Sequence, residues 1–405
     1  MKKLTLAAIL AAAVLVWSGA ATAQQSRPGD NIDWTYAKKL IDKSGGGGGK
    51  LTPEEQTYLD NARKVRAEIM RRGGPAPEGG AGSRPAGAGS RQAGGLSTSG
   101  TTSTGLIPLD QMTAEQKYKG EDGGLYGGGR NDPPELQQKA AAGQLAKIQP
   151  LDEKGKPDPK GKIVLMSMGM SNTTQEFSQF KAQADKDPAK SPAVVIVDCA
   201  QGGQDAFKWA AGEQSKATWE TAMKKLQAAG VTPEQVQVLW VKHARITPER
   251  YGDFPAHASE LKDQWVSSLN LAAKAFPNLQ IAYLSSRIYA GYASTRLNPE
   301  PYAYEGAFAV RWMIQEQIKG EAALNYDAGK GEVKAPLLLW GPYLWGDGLT
   351  PRRSDGLVWK VGDLAGDGTH PSVESGRAKV GKLLLDFLKT NPNAKGWFCK
   401  AATSD

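Results

Sequence analysis

Cysteine and histidine are scarce in this chain, which has two cysteines and three histidines among 405 residues. Two cysteines exclude a zinc site built from several cysteines, and they exclude a small domain held together by many disulfides. After residue 23 the sequence also lacks any hydrophobic run long enough to span a bilayer. Basic residues exceed acidic ones only modestly, with a formal net charge of +8 that is spread along the chain. A charge of this size and spread does not require a nucleic-acid partner.

Residues 1–23 have the three parts of a secretory signal peptide. Two lysines precede an apolar run from Leu4 to Trp17, and small residues then form a cleavage site before Gln24. A single membrane anchor is the alternative, but the run is shorter than the roughly 20 residues that a spanning helix needs. We therefore expect a secreted or periplasmic protein with no membrane span after cleavage.

The two cysteines can be either oxidised to a disulfide or reduced in such a protein. An exported chain meets an oxidising compartment, where Cys199 and Cys399 can form a disulfide that ties the carboxyl terminus to the core. Two separate buried thiols are the alternative, because separation along the sequence says nothing about the distance between the Cα atoms. The sequence leaves both states open.

The amino-terminal part of the chain differs in composition from the rest. Residues 24–72 contain two short helical patterns, and the second begins at Thr52 with a capping box completed by Glu55. Residues 73–105 are rich in Gly, Ser and Pro, so they cannot bury enough apolar surface to offset their chain entropy. We expect a flexible N-terminal region that ends in this linker, followed by a folded domain over 106–405.

Apolar runs and helical patterns alternate through the folded domain. The runs that predict strands lie at 162–169, 193–200, 236–243, 279–286 and within 336–345. The helical patterns lie at 173–185, 214–229, 258–276, 299–318 and 373–388. This alternation predicts an α/β fold, a three-layer α/β/α sandwich with a mostly parallel five-stranded sheet. In such sheets ligands bind at the carboxyl ends of the strands, near the point where the strand order reverses.

Two of these strand ends carry small residues suited to binding or catalysis. Ser171 follows the first strand, where a serine exposes its hydroxyl and a helix N-terminus offers N–H groups to an anion. The alternative is that Ser171 or Thr173 only caps the helix. Gly202 and Gly203 follow the second strand, where glycine lets the backbone approach a ligand closely. The alternative is that these glycines only form an ordinary tight turn.

Asp367 and His370 lie on a loop just before the last predicted helix. Serine alone is a poor nucleophile and needs a base that is neutral near pH 7, which histidine provides. The histidine needs an acceptor that fixes its tautomer, and an aspartate three residues earlier can be that acceptor. The alternative is that Asp367 caps the last helix and His370 packs against it.

Together these blocks resemble the SGNH hydrolases, the superfamily of GDSL-type esterases, over roughly residues 160–390. The sequence GMSN at 169–172 is similar to the nucleophile block, Gly202-Gly203 to the glycine block, and DGTH at 367–370 to the D-x-x-H block. The segments SSRIYAGYA, NPEPYAYE and DGTHPS resemble those of a poorly characterised exported bacterial group. The resemblance implies a flavodoxin-like sandwich and a catalytic triad that consists of Ser171, His370 and Asp367.

The resemblance also implies an oxyanion hole made by the backbone N–H groups of Ser171 and of Gly202 or Gly203. The family's asparagine block after the third strand is absent, and the sequence VKHA stands in its place. Lys242 or His243 would then have to supply the missing donor. Loss of one such donor lowers the rate by about 10²–10³.

Substrate contacts are expected from Asn172, Arg287 and Tyr289. Arginine and tyrosine after the fourth strand suit a sugar or a carboxylate, because aromatic faces and paired donors bind both. Packing of this loop against 340–345 is the alternative. His257 is expected to be an ordinary surface residue. Eleven tryptophans and the export signal favour a carbohydrate substrate.

Three functional hypotheses follow. The first is an exported serine ester hydrolase that removes O-acyl groups such as acetyl from a carbohydrate, and the second is a non-catalytic glycan-binding protein on the same scaffold. The third is a metal-dependent phosphoesterase, although its candidate ligands Asp198, Asp347, Asp363 and His243 lack the usual ligand spacing. The first hypothesis requires no cofactor and no metal. Its partner is a small-molecule or polysaccharide ester, and the sequence does not fix the oligomeric state.

Overall fold

The computed structural model describes residues 101–400. The predicted signal peptide at 1–23, the helical region at 24–72 and the greater part of the linker at 73–105 lie outside the described residues. Among the described residues, no helix is both long enough and apolar enough to cross a membrane.

Five strands form one sheet in which every neighbouring pair is parallel, in the order β2-β1-β3-β4-β5. The strands are β1 Ile163–Gly169, β2 Val194–Val197, β3 Val236–Lys242, β4 Ile281–Leu284 and β5 Leu337–Trp340. Nearly all of their side chains are buried on both faces, which explains why they read as continuous apolar runs. The predicted α/β fold with a five-stranded sheet is confirmed, and the sheet is wholly rather than mostly parallel.

Helices precede the first strand, separate the strands and follow the last one. They are α1 Glu135–Leu145, α2 Ser171–Ala184, α3 Ala206–Trp209, α4 Lys216–Ala228, α5 Ala256–Ala275, α6 Tyr302–Lys319, α7 Gly376–Thr390 and α8 Lys395–Phe398. The sequence patterns predict the long helices but miss α1. Two of its three buried side chains are glutamines, so it carries no apolar stripe.

Reversal of the strand order at β1 distributes the helices over the sheet. The chain moves from β1 to β2 in one direction and from β3 to β5 in the other. Because parallel crossovers are right-handed, α2 covers one face and α5 and α6 cover the opposite face. The contacts agree, since α2 packs against α7 and α5 packs against α6. The reversal brings the end of β1 beside the end of β3, where Gly169 pairs with Lys242.

The packed domain begins before residue 106. The backbone N–H of Thr104 donates to Asp347 Oδ1 at 2.6 Å, and the Tyr289 hydroxyl donates to the Thr101 carbonyl at 2.7 Å. Residues 101–105, which composition places in the linker, therefore bind to the segments after β4 and β5. Their small polar side chains bury little apolar surface, and hydrogen bonds hold them instead.

Both cysteines are free thiols in the structure. Cys199 is buried, and burial raises the pKa of its thiol to about 12. Cys399 is partly exposed at the end of α8, where its backbone pairs with that of Lys190. Of the two states that the sequence leaves open, the structure has separate thiols.

Candidate active site

The turn from β1 into α2 depends on a glycine. A Cβ atom on Gly169 would lie 2.3 Å from the Lys242 carbonyl oxygen and 2.4 Å from Thr173 Oγ1. The Thr173 hydroxyl donates to that same carbonyl at 2.6 Å. Met170 is the N-cap residue of α2 and its side chain makes no capping hydrogen bond. Ser171 is thus the first residue of the helix, and the alternative that Ser171 or Thr173 caps α2 is wrong.

Ser171 lies at one end of a row of three polar side chains. Its Oγ atom is 2.7 Å from Nε2 of His370. The other ring nitrogen of His370, Nδ1, is 2.5 Å from Oδ2 of Asp367. With a proton on Nδ1, His370 donates to Asp367 and accepts from the Ser171 hydroxyl. The structure therefore brings together the three side chains that the sequence blocks identify.

The loop that carries Asp367 and His370 is held in a tight turn. Gly368 has φ +63°, and a Cβ atom there would lie 1.8 Å from the Tyr292 carbonyl oxygen. The next carbonyl, that of Thr369, accepts one hydrogen bond from Asn172 Nδ2 at 2.9 Å and another from Arg287 Nη2 at 3.2 Å. Two buried donors from separate elements thus fix the peptide between Asp367 and His370.

Electrostatics favour a charged Asp367. Burial by itself would raise the pKa of its carboxyl group, but hydrogen bonds from His370 and from the Thr369 backbone outweigh burial and hold the pKa below its ordinary value. The side chain of His370 keeps a fifth of its surface exposed, at 20%, so a substrate can reach the Ser171–His370 pair. An ionised carboxylate behind the ring stabilises the imidazolium that forms when serine loses its proton.

Backbone N–H groups lie beside Ser171. As the first residue of α2, Ser171 has an N–H group without a partner inside the helix. The Gln201 N–H donates to the Gly169 carbonyl at 3.0 Å, which ties the glycine loop to the end of β1. Gly202 and Gly203 are exposed, and neither N–H donates to another of the described residues. Gly203 needs glycine for its φ of +74°. These are the expected backbone donors of an oxyanion hole.

The expectation that Lys242 or His243 supplies a further donor is wrong, because neither side chain has surface to offer. Lys242 is 0% exposed and its ammonium group contacts the carboxylate of the equally buried Glu176. His243 is 1% exposed, and its ring lies 6.1 Å from the ring of Trp209 and 5.7 Å from that of Trp265, centroid to centroid. A substrate oxyanion cannot reach either group.

Burial also sets the charge of these two side chains. It lowers the pKa of Lys242 to about 8, against the opposing attraction of Glu176, and it raises the pKa of Glu176, against the opposing attraction of Lys242. Burial lowers the pKa of His243 to about 3, so that ring is neutral. Sequence reasoning missed Glu176. Its one signal is its position one helical turn after Asn172 and directly before Phe177, which places it on the inward side of α2.

The expected substrate contacts Asn172, Arg287 and Tyr289 are also buried, at 2%, 2% and 0% exposed. Asn172 and Arg287 bind the Thr369 carbonyl, so they support the loop that carries Asp367 and His370 and have no surface to offer a substrate. The ring of Tyr289 packs against Trp345 at 6.1 Å and its hydroxyl binds the chain at Thr101. For these residues the prediction of substrate contact is wrong, and for Tyr289 the packing alternative is right.

His257 is not a surface residue. Its side chain is 3% exposed, and Nε2 lies 2.6 Å from Oε2 of Glu305. Tyr118 and Lys119 contact the other oxygen of the same carboxylate at 2.5 and 2.8 Å. This cluster joins the segment before α1 to α5 and α6. The partner Glu305 is distant in sequence, so no local pattern predicts it.

The candidate ligands of the phosphoesterase hypothesis have separate partners. Asp198 accepts hydrogen bonds from the hydroxyl groups of Ser167, Thr174 and Ser178. Asp347 binds the chain near Thr104, and Asp363 pairs with a lysine of α7. Over residues 101–400, no three or more His, Cys, Asp or Glu side chains are grouped so that they would hold a metal ion.

In comparisons with known proteins, the chain matches no protein-family model and no curated protein sequence. The functional assignment therefore rests on the fold and on the geometry of the site.

Proposed function

We propose that this chain is a serine ester hydrolase on a flavodoxin-like scaffold of the SGNH type. The observation that carries the proposal is the hydrogen-bonded row of Ser171, His370 and Asp367, with 2.7 Å between Oγ and Nε2 and 2.5 Å between Nδ1 and Oδ2. The position of the row supports it as well. Ser171 follows β1, where the strand order reverses and where ligands bind in parallel sheets.

In the first half of the reaction Ser171 is the nucleophile. Its Oγ atom bonds to the acyl carbon of the ester while His370 Nε2 takes the hydroxyl proton, and the carbonyl oxygen becomes an oxyanion. When the tetrahedral intermediate collapses, the bond from the acyl carbon to the alcohol oxygen breaks and His370 returns the proton to that oxygen. The alcohol leaves and the acyl group stays on Ser171.

In the second half a water molecule replaces the alcohol. His370 takes a proton from the water as its oxygen attacks the acyl carbon, and collapse breaks the bond to Ser171 Oγ, which regains a proton from His370. Asp367 keeps the ring in one tautomer and stabilises its charged form in both halves. The N–H groups of Ser171 and of Gly202 or Gly203 donate to the oxyanion, with the α2 N-terminus adding a favourable dipole.

We propose further that the enzyme acts outside the cytoplasm, on the basis of the signal-peptide pattern of residues 1–23. The expectation of an O-acetylated carbohydrate was drawn from the export signal and the aromatic content, with Arg287 and Tyr289 as candidate sugar contacts. Because both are buried, they give that substrate no support, and the proposal stands on ester hydrolysis alone.

The missing asparagine block favours the competing hypothesis of a binding protein without activity. That hypothesis expects His370 to stay out of reach of Ser171. The 2.7 Å separation of Nε2 and Oγ supports the enzyme instead. Two sets of backbone donors remain for the oxyanion, and one missing donor slows such enzymes by about 10²–10³ without abolishing turnover.

The test is covalent labelling of the purified protein with a fluorophosphonate probe, followed by mass spectrometry to locate the modified residue. We expect the label on Ser171, its loss in Ser171→Ala, and a strong reduction in His370→Ala. Ser178→Ala is a matched control, because Ser178 lies on the same helix with an exposed hydroxyl bound to Asp198. Folded protein that takes no label, or that takes it equally in Ser171→Ala, would overturn the proposal.

A further inference from the structure

Exposed large hydrophobic side chains are concentrated at one edge of the sheet. Over residues 101–400, six of the eight lie between the carboxyl end of a strand and the next long helix, and the other two lie at the start of α1 and just before β5. The six are Phe207, Ile246, Leu297, Leu349, Val361 and Val373, and the two are Leu136 and Val333. Scattered exposed hydrophobic residues are normal, but a concentration of them around a catalytic site indicates a binding surface.

Three of the six, which we call the apolar rim, lie in the short helix α3 after β2 and in the loops after β3 and β4. They are Phe207, Ile246 and Leu297, with 42%, 42% and 36% of their surface exposed. The segments of Phe207 and Ile246 are held together by Asp205, which accepts from Arg245 at 2.8 Å and from the Ile246 N–H at 3.2 Å.

The same network ties the apolar rim to the catalytic residues. On the side of Phe207, the Trp209 indole of α3 donates to the Gly169 carbonyl at 3.1 Å, two residues before the nucleophile. On the side of Leu297, Thr295 Oγ1 lies 3.1 Å from Oγ1 of Thr369, the residue before the catalytic histidine. The segments that carry the rim are therefore hydrogen-bonded to the end of β1 and to the loop that holds Asp367 and His370.

Two arginines next to the rim have acidic partners. The Arg245 guanidinium contacts Asp205 and the Tyr251 hydroxyl, and its carbon lies 5.1 Å from the centre of the Phe207 ring. Arg296 pairs with Glu249. The three rim side chains themselves expose hydrocarbon, and such a surface gains free energy when another hydrocarbon group covers it.

We propose that the apolar rim binds a hydrocarbon group of the ester substrate, so that the enzyme prefers esters of medium-length aliphatic acids or alcohols to acetylated sugars. This inference rests on the proposed ester hydrolysis and adds the chemical class of the substrate. Phe207, Ile246 and Leu297 are its specificity-determining residues.

The first test uses two series of esters in which one side is constant. One series is p-nitrophenyl acetate, butyrate, hexanoate and octanoate, and the other is methyl, butyl and hexyl acetate, all below their micellar concentrations. We expect kcat/KM to rise about tenfold from the shortest to the six-carbon member of at least one series, because each added methylene is partly buried. Flat or falling profiles in both series overturn the inference.

The second test assigns the preference to the apolar rim. In Ile246→Thr and Leu297→Ser we expect the ratio of kcat/KM for the six-carbon ester to that for the shortest ester to fall at least threefold. Val333→Thr is the matched control, because Val333 is similarly exposed, at 41%, but lies before β5 and away from the site. A ratio that is the same in the rim variants and the control overturns the inference.

The two proposals fail in different ways. If no ester in either series is hydrolysed and the fluorophosphonate probe leaves Ser171 unmodified, the ester hydrolase proposal fails and the inference falls with it. If esters are hydrolysed without a chain-length preference, only the inference fails. Sedimentation of the same variants tests whether a second copy of the chain covers the rim instead. If the protein is a dimer that the rim substitutions dissociate, and the ratio of kcat/KM values for long and short esters does not change, the rim is a subunit interface and the inference is overturned.

Discussion

Replacement of Asn172 by alanine tests whether the buried Asn172 amide positions the loop that carries Asp367 and His370. The side chain is 2% exposed and donates to the Thr369 carbonyl at 2.9 Å, so it touches neither substrate nor the His370 ring. In Asn172→Ala that carbonyl keeps only the longer bond from Arg287, at 3.2 Å. The peptide between Asp367 and His370 then has room to shift.

We expect Asn172→Ala to lower both the stability and the rate, by separate causes. Loss of one buried hydrogen bond costs about 1–3 kcal/mol in the free energy of unfolding. A shift of the ring by about 1 Å relative to Ser171 lowers the rate by roughly 10². We therefore expect kcat for p-nitrophenyl esters to fall about 10- to 100-fold in Asn172→Ala while KM changes little, measured beside urea denaturation of the same protein.

Gln183→Ala is the matched control. Gln183 lies on the same helix, and its side-chain amide donates to a backbone carbonyl, that of Ala378 at 3.2 Å, far along the helix from Ser171. Because the Gln183 amide is only partly buried, this variant should lose no more stability than Asn172→Ala, and it should keep its kcat. If Asn172→Ala retains its kcat, or if both variants lose kcat in proportion to their stability, the reasoning about loop positioning is refuted.

Three further predictions concern burial and backbone space. Lys242→Met should lower the free energy of unfolding by about 3–5 kcal/mol, because it leaves the Glu176 carboxylate buried without its partner, and adding Glu176→Leu should restore most of that stability. Urea denaturation measures both variants, and a single variant as stable as its parent would contradict the ion pair. Gly368→Ala should lower the melting temperature and abolish activity, since its Cβ would lie 1.8 Å from the Tyr292 carbonyl oxygen, whereas Gly202→Ala, whose Cβ would have no atom within 4 Å, should melt like the parent. Equal melting temperatures of the two variants would contradict the tight turn at Gly368. Burial lowers the pKa of His243 from its ordinary 6.5 to about 3, so the unfolded chain takes up this proton first as the pH falls, and the stability that the group contributes above pH 6.5 is lost towards pH 3. In His243→Leu the free energy of unfolding should depend less on pH between 6.5 and 3, and an unchanged slope would show that the ring is not buried and neutral.

The strands and the triad were predictable from the sequence for a common reason. A parallel strand covered on both faces is a continuous apolar run, and the residues at its carboxyl end must lie at one edge of the sheet. Ser171 and His370 could therefore be placed near each other from their positions relative to predicted elements. The short separation of Asp367 and His370 along the chain made their contact predictable too.

The supporting residues were not predictable, because their roles depend on partners that are remote in sequence. Arg287 is an ordinary candidate for substrate binding until the structure shows it covered and bound to the Thr369 carbonyl. Lys242 is equally misleading without Glu176, which supplies the charge that allows burial. Helix α1 was missed because its inward side chains include Gln137, whose amide binds a β5 carbonyl at 2.8 Å instead of packing as a hydrophobe.

The separation of Ser171 from His370 along the chain has a consequence for biosynthesis. The two residues are 199 positions apart, and the nucleophile is translated long before its base. A ribosome-bound chain that ends before His370 has a serine with no proton acceptor, and a chain that crosses a membrane unfolded has no assembled sheet to bring the two together. Under the proposed function, the polypeptide is therefore inert towards cellular esters during synthesis and export, and hydrolysis begins only after the last helices have packed.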